Sequence, residues 1–371
     1  MPTLVDEIRF SCAECARQSH ITIDHRAIDR FILSVDPKAW QSSTGAEAHG
    51  VRLPLRFETD KDELNSLATL ALLNFLSGYR EPLHRLTGRG AYSTILSLVL
   101  SAYLSSTPDS ASSSPSLLTA AGMRQCTAGQ ISELARIKMH VERPHETLGP
   151  AVTVGEKDEE AIEVCELLAG VLRETGEALQ SEGKTSLGEW VAAKLRETGG
   201  DVGEMVKALA STFPAFNDSH TLSLSGSSSP LQVHLYKKAL WLLTVVNLRF
   251  SSSEEKPSFP LPKTEGLPVF ADNVLPSLLI HLSILLPSSS HLPGLSTVSL
   301  SDPSTLLFPS PSATSLRAAA LHACSLIVKR AQELGKTEWT ERKLDAFLWN
   351  RAKEGEWKEV GRMGERGTVY Y

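Results

Sequence analysis

Apolar residues recur every three to four positions along most of this chain, while strict apolar/polar alternation is weak everywhere. That combination restricts the fold to helices packed on helices. Residues 61 to 79 (KDELNSLATLALLNFLSGY) set Leu64, Leu67, Ala68, Ala71, Leu72 and Phe75 on one stripe, and Ala91 to Leu104 is apolar nearly all round. Both segments are predicted to pack centrally. Further helices are predicted over residues 158 to 181, 186 to 198, 231 to 248, 273 to 286, 314 to 334 and 341 to 353. Ser186-Leu-Gly-Glu189 offers a capping box, in which the Ser hydroxyl and the Glu carboxylate each satisfy an orphan amide. The fold class is therefore all-α.

Four stretches break the helical pattern: Ser105 to Ser116, Ser223 to Pro230, Ser251 to Pro262 and Pro287 to Pro311. Their Ser, Pro and Gly supply little apolar area to offset chain entropy, so they are expected as solvated loops inserted in a single domain spanning residues 1 to 371. The 42% of hydrophobic and 22% of charged residues are ordinary for a globular protein with a substantial core. A net charge of -6 and the lack of a dense Lys/Arg block favour a small nucleotide over a nucleic-acid polymer as ligand.

The segment MPTLVDEIRFSCAECARQ has neither the basic nor the apolar region of a leader, and no apolar run nears the length of about 18 residues that spans a bilayer. A cytoplasmic protein is expected, with the nucleus possible and no membrane contact. Five scattered cysteines suggest reduced thiols. Cys12 and Cys15 form a lone C-x-x-C with no second pair, which reads as packing rather than a zinc site. Phosphate-loop, dinucleotide, nucleophile-elbow and metalloprotease signatures are all missing, so neither metal nor cofactor is expected.

The second half carries a series of islands: Phe213-Pro-Ala-Phe-Asn-Asp218, Tyr236-Lys-Lys-Ala-Leu-Trp241, Phe270-Ala-Asp-Asn273 and Leu344-Asp-Ala-Phe-Leu-Trp-Asn350. Each sets a charge beside aromatic or apolar residues. A pocket that holds a flat heterocycle and manages charge on a sugar needs that pairing. Every member also has a plainer reading. Asp272 precedes an apolar helix and suits an N-cap. The pair Lys237 and Lys238 suits a solvated face, and Arg317 an exposed helix position. Asn74 is either a satisfied buried amide or a pocket residue, and Trp349 either a core anchor or a stacking wall.

These islands, in this order, resemble the queuosine salvage protein family. Ile8-Arg-Phe-Ser-Cys-Ala13 with Ser19-His-Ile-Thr-Ile23, Leu72-Leu-Asn-Phe-Leu-Ser-Gly-Tyr-Arg80, Leu316-Arg-Ala-Ala319 and Arg366-Gly-Thr-Val-Tyr-Tyr371 extend the resemblance over nearly the whole chain. It implies an all-helical fold related to helical DNA glycosylases and hydrolysis of queuosine 5'-phosphate to release queuine for tRNA modification. It implies Asp272 as the catalytic carboxylate and places Lys237 in the site, against either the 5'-phosphate or an oxygen of the base. Asn74, Phe75, Tyr79, Phe216, Tyr236 and Trp349 are then candidates to contact the substrate, Arg317 to read phosphate and Asp218 to pair with the cationic amine of queuine. The family's acidic pair is Asn217-Asp218 here, so its first carboxylate is missing. The competing class is a helical protein that binds the deazaguanine nucleotide without turnover, or a helical interaction scaffold.

Overall fold

The centre of the molecule is the helix Asp60–Leu72, buried at Glu63, Leu64 and every position from Ser66 to Leu72. A computed structural model describes all residues except 1, 46–52, 54, 107–114, 146, 148, 225–228, 254–255 and 289–304. The one acidic residue on the buried part of that helix, Glu63, is matched by the Arg249 guanidinium at 2.5 and 2.8 Å. Helices Leu187–Thr198 and Lys237–Ser251 pack on it. The first comes so close that a Cβ at Gly188 would lie 2.6 Å from the Asn65 backbone. Around this centre one continuous apolar cluster runs from Leu4 to Tyr371.

Sixteen α-helices account for the fold among the described residues, with only two-stranded sheets beside them, so the class is all-α. Helices Glu159–Ser181, Leu187–Thr198, Ser310–Glu333 and Glu341–Arg351 lie where their periodicity puts them. Three expectations shift. The 61 to 79 helix stops at Leu72, because Leu76 takes a left-handed φ of 78° and Ser77–Tyr79 form a separate 3-10 turn. Residues 231 to 248 divide into a strand, Leu231–His234, and the helix Lys237–Ser251, with Tyr236 at φ 48° breaking the register between them. The helix predicted over 273 to 286 ends at His281, after which Leu285–Leu286 pairs with Thr22–Ile23.

Helix Ala91–Leu104 is flanking rather than central. It buries Thr94, Ile95, Leu98, Val99 and Ala102, while Leu104 remains 54% exposed. Ser93, Ser97 and Ser101, four residues apart, give it an edge that meets water cheaply. Ser186 caps its helix through the Glu189 amide, but the Glu189 carboxylate reaches one residue further back, to the Thr185 amide, so the box is not closed. Most strands went unpredicted because two to four residues give alternation no room to register, among them Ser219–Leu222 antiparallel to Leu231–His234 and Thr305–Leu307 parallel to Arg362–Gly364; the longer antiparallel pair His140–His145 and Gly149–Lys157 was missed as well. Most of the Ser/Pro stretch at 287 to 311 falls outside the described residues, though the helix beginning at Ser310 takes up its end. All five cysteines are free and buried. Among the described residues no helix is long and apolar enough to cross a membrane.

The segment 365–371 returns to the turn at Ser77–Tyr79. Gly78 makes that contact possible, since a Cβ there would sit 2.2 Å from the Glu365 carbonyl oxygen. Gly78→Ala is expected to destabilise the fold by about 1–3 kcal/mol through overpacking against backbone. Chemical denaturation should register the loss, whereas Ala at the unobstructed Gly45 should be near neutral.

Candidate active site

Helix Lys237–Ser251 begins without a side-chain cap of its own, since Tyr236 occupies the N-cap in the left-handed region. Asp218, nineteen positions upstream, serves instead. Its carbonyl accepts the Leu235 and Tyr236 amides at 3.0 and 3.1 Å, and its Oδ2 accepts the Lys237 amide at 3.2 Å. The same carboxylate receives both arms of Arg317, Nη1 to Oδ1 at 3.0 Å and Nη2 to Oδ2 at 2.6 Å, in a pair that is 1% and 0% exposed. His220 Nε2 lies 2.9 Å from Oδ1. Burial would raise this carboxyl, but the Arg317 guanidinium and His220 hold it well below the usual range. Arg317 Nε then donates to the Ala271 carbonyl at 2.8 Å, and the guanidinium lies over the Tyr371 ring at 4.0 Å.

Both lysines that follow are buried, contrary to the solvated-face reading. Lys238 Nζ, 1% exposed, donates to the Leu72 and Val369 carbonyls at 2.6 and 2.5 Å, satisfying the last turn of the central helix. Its ammonium also faces the Phe75 and Phe216 rings. Lys237 Nζ donates to the Asn74 carbonyl at 2.8 Å, and burial pushes its ammonium down to about 8.

These contacts border a cavity of about 400 Å³. Its apolar walls are Phe75, Tyr92, Trp241, Phe270, Trp349 and Tyr371. Tyr92 meets Trp349 and Trp241 edge-on, with ring centroids 5.7 and 6.5 Å away. Asp272, adjacent to the pinned Ala271, accepts the Val274 amide on Oδ1 at 2.8 Å. It thus holds the first turn of the helix Val274–His281 from one position outside the N-cap, Asn273. Asp345 enters from helix Glu341–Arg351, 6% exposed, with Oδ1 accepting the Phe270 amide at 3.1 Å. Burial and the neighbouring Asp272 push the Asp345 carboxyl well above the usual carboxylate range.

Arg80, Lys353 and Arg362 add positive charge to the lining. Arg362 is held by the Val360, Ala352 and Trp357 carbonyls, and burial, with Arg80 nearby, lowers it to about 10. Arg80 Nη1 and Ser77 Oγ are buried and have no partner among the described residues. Helix Ala91–Leu104 opens at this wall with Gly90 as an N-cap that has no side chain.

Of the residues the sequence nominated, Asn74, Phe75, Lys237, Asp272 and Trp349 line the cavity. Five others stand behind its wall. Arg317 and Asp218 are spent on each other, which takes the guanidinium from a phosphate and the carboxylate from an amine. The Tyr79 hydroxyl donates to Glu163 at 2.6 Å and accepts the Gly367 amide at 3.0 Å, anchoring the 365–371 segment. Phe216 is fully buried under Lys238, and Tyr236 stacks on His234. Asp345 was the main omission. It stands four residues before Trp349 on one helix and seven before Ala352 at that helix's C-cap, so a pocket-facing Trp349 brings it into the same wall.

An aromatic cleft with two carboxylates and a buried amine defines a pocket for a small, flat, polar ligand in an all-helical protein. The model of the queuosine salvage protein family matches residues 134–371, and the chain belongs to that family. The match covers Lys237, Asp272, Asp345 and Trp349, while the Asn74–Arg80 and Gly90–Ser93 walls precede it. None of the curated proteins compared with the chain matches it.

Removing one member of a buried ion pair leaves an uncompensated charge, at a cost of about 3–5 kcal/mol. Asp218→Ala and Arg317→Met should each destabilise by that order in denaturant unfolding, and the double variant by less than their sum. Additive losses would mean the two side chains act independently.

Proposed function

We propose that the protein hydrolyses the N-glycosidic bond of queuosine 5'-phosphate, releasing queuine and ribose 5-phosphate. The observation that carries this reading is the convergence of Asp272 and Lys237, from separate elements, on one cavity walled by aromatic rings. Family membership independently supports a role in queuosine salvage.

The chemistry follows from charge. Breaking the bond builds positive charge on C1' and the ring oxygen of the ribose, which a carboxylate in a partly desolvated site stabilises. Asp272, half-buried and fixed through Val274, is suited to that task and to taking a proton from the attacking water. Lys237, held by the Asn74 carbonyl, supplies a donor to an oxygen of the substrate. The aromatic walls receive the deazaguanine. Arg80, whose Nη1 has no partner among the described residues, together with Ser77 Oγ and Arg362, replaces Arg317 as the group that receives the 5'-phosphate. Binding energy from that end orients C1' against Asp272.

Purified protein incubated with queuosine 5'-phosphate and EDTA should release free queuine, detected by chromatography. Bound but unchanged nucleotide would favour a carrier instead. Asp272→Asn retains an oxygen for the Val274 amide and should fold normally, yet lose roughly 10²-fold or more in kcat. Wild-type turnover in that variant would remove Asp272 from the chemistry.

The nucleoside queuosine is expected to be a much poorer substrate than its 5'-monophosphate. Arg80→Ala should erode that preference, lowering kcat/KM for the nucleotide alone, because only the nucleotide loses a partner. Arg317→Ala, by contrast, should depress both substrates together with stability. Equal losses on both substrates for Arg80→Ala would place Arg80 away from the phosphate.

A further inference from the structure

Queuine is a difficult leaving group. A 7-deazaguanine carries carbon where guanine has N7, so its departure needs a proton delivered to another ring atom or to the exocyclic oxygen. Asp272 cannot both stabilise the cation as a carboxylate and supply that proton. A second acid must lie in the same cavity.

Resting on the hydrolase reading above, we infer that Asp345 is the acid that protonates the departing base. Helix Glu341–Arg351 and the turn after it present Asp345, Trp349, Ala352 and Lys353 to the cavity as a single stripe, so the carboxyl stands beside the aromatic wall that receives the base. Asp345 and Asp272 are the two acidic residues among the described lining, and they differ in surroundings. Asp272 is half-buried at a helix start, whereas Asp345 is buried, with its carboxyl fixed by the Phe270 amide. Facing it are Asp272 from the 270–274 segment and Lys237 from helix Lys237–Ser251, with Arg80, Lys353 and Arg362 elsewhere in the lining. Burial first, and the charge of Asp272 second, favour its protonated form, while Lys237 and the Phe270 amide oppose them without winning. Two carboxyls in such different surroundings divide into acid and base.

The atoms balance. The C1'–N bond breaks with its electron pair going to the base, which takes the Asp345 proton and leaves as queuine with an uncharged ring. Water oxygen bonds to C1' and its proton passes to Asp272. Transfer of one proton from Asp272 to Asp345 through solvent restores the enzyme.

A general acid works below its pKa and fails above it, so the test is the alkaline limb of the rate. Wild type and Asp345→Asn are compared on queuosine 5'-phosphate and on 4-nitrophenyl ribofuranoside 5-phosphate, whose leaving group needs no proton. For wild type, kcat on the first substrate should show an alkaline limb that the second lacks. Lys237, lowered to about 8, would instead impose its limb on both. The Asn variant keeps an acceptor for Phe270; it should lose about 10²–10⁴-fold in kcat on queuosine 5'-phosphate with KM little changed, lose that limb, and cleave the nitrophenyl substrate nearly normally. If the variant fails to fold, the two wild-type profiles decide. A raised KM with kcat preserved would make Asp345 a reader of the base edge and overturn the assignment, as would persistence in the variant of the limb that the nitrophenyl substrate lacks. Wild type that cleaves neither substrate would overturn the hydrolase reading, and this assignment with it. Cleavage of queuosine 5'-phosphate with identical limbs on both substrates would overturn this assignment alone.

Discussion

The buried pair between Asp218 and Arg317 sets the geometry on which the rest of the site depends. Through Asp218 it caps the helix that starts at Lys237, and through Arg317 it grips the carbonyl next to Asp272. One ion pair therefore aligns the amine and the carboxylate that converge on the cavity. Desolvating two charges costs several kcal/mol, and the fork of Arg317 on Asp218 offsets it only because other groups satisfy the remaining lone pairs and protons. Here His220, the Ala271 carbonyl and the Tyr371 ring do so. Hydrophobic residues in this place could pack as well, but they would give the Lys237 amide no acceptor.

Burial of Lys237 and Lys238 follows the same logic with a different outcome. Both ammoniums lose water, and both find backbone carbonyls in return. Lys238 is fully used by Leu72 and Val369 and acts as a bolt between the central helix and the 365–371 segment. Lys237 has one such bond and borders the cavity. Adjacent in sequence, the two residues thus have opposite duties, decided by which side of one helical turn each occupies.

Much of the fold was legible because helical periodicity is local: the helices at 159–181 and 187–198 begin and end within a residue or so of where Asp158, Ser186 and their apolar stripes place them. What escaped was non-local. Nothing near Asp218 in the sequence indicates that Arg317 lies against it, so a carboxylate in an aromatic island read as a ligand contact when it is a structural partner. Tyr79 misled in the same way, its hydroxyl being committed to Glu163 and Gly367. Asp345 was legible in principle, since the four-residue spacing to Trp349 is a property of any helix. The charge on Arg80 was visible too, but not that its Nη1 is buried without a partner among the described residues.

The cavity draws its walls from residues 74–93, 237–275 and 345–371, and the first and last of these segments are divided by most of the sequence. Closing so long a span carries its entropy cost before any contact rewards it. The pocket is for that reason among the more long-range features of the fold, whereas the helices that frame it are local. The wall is complete only with the 365–371 segment in place, since that segment carries Tyr371 to the cavity and is held there by Tyr79 and Lys238.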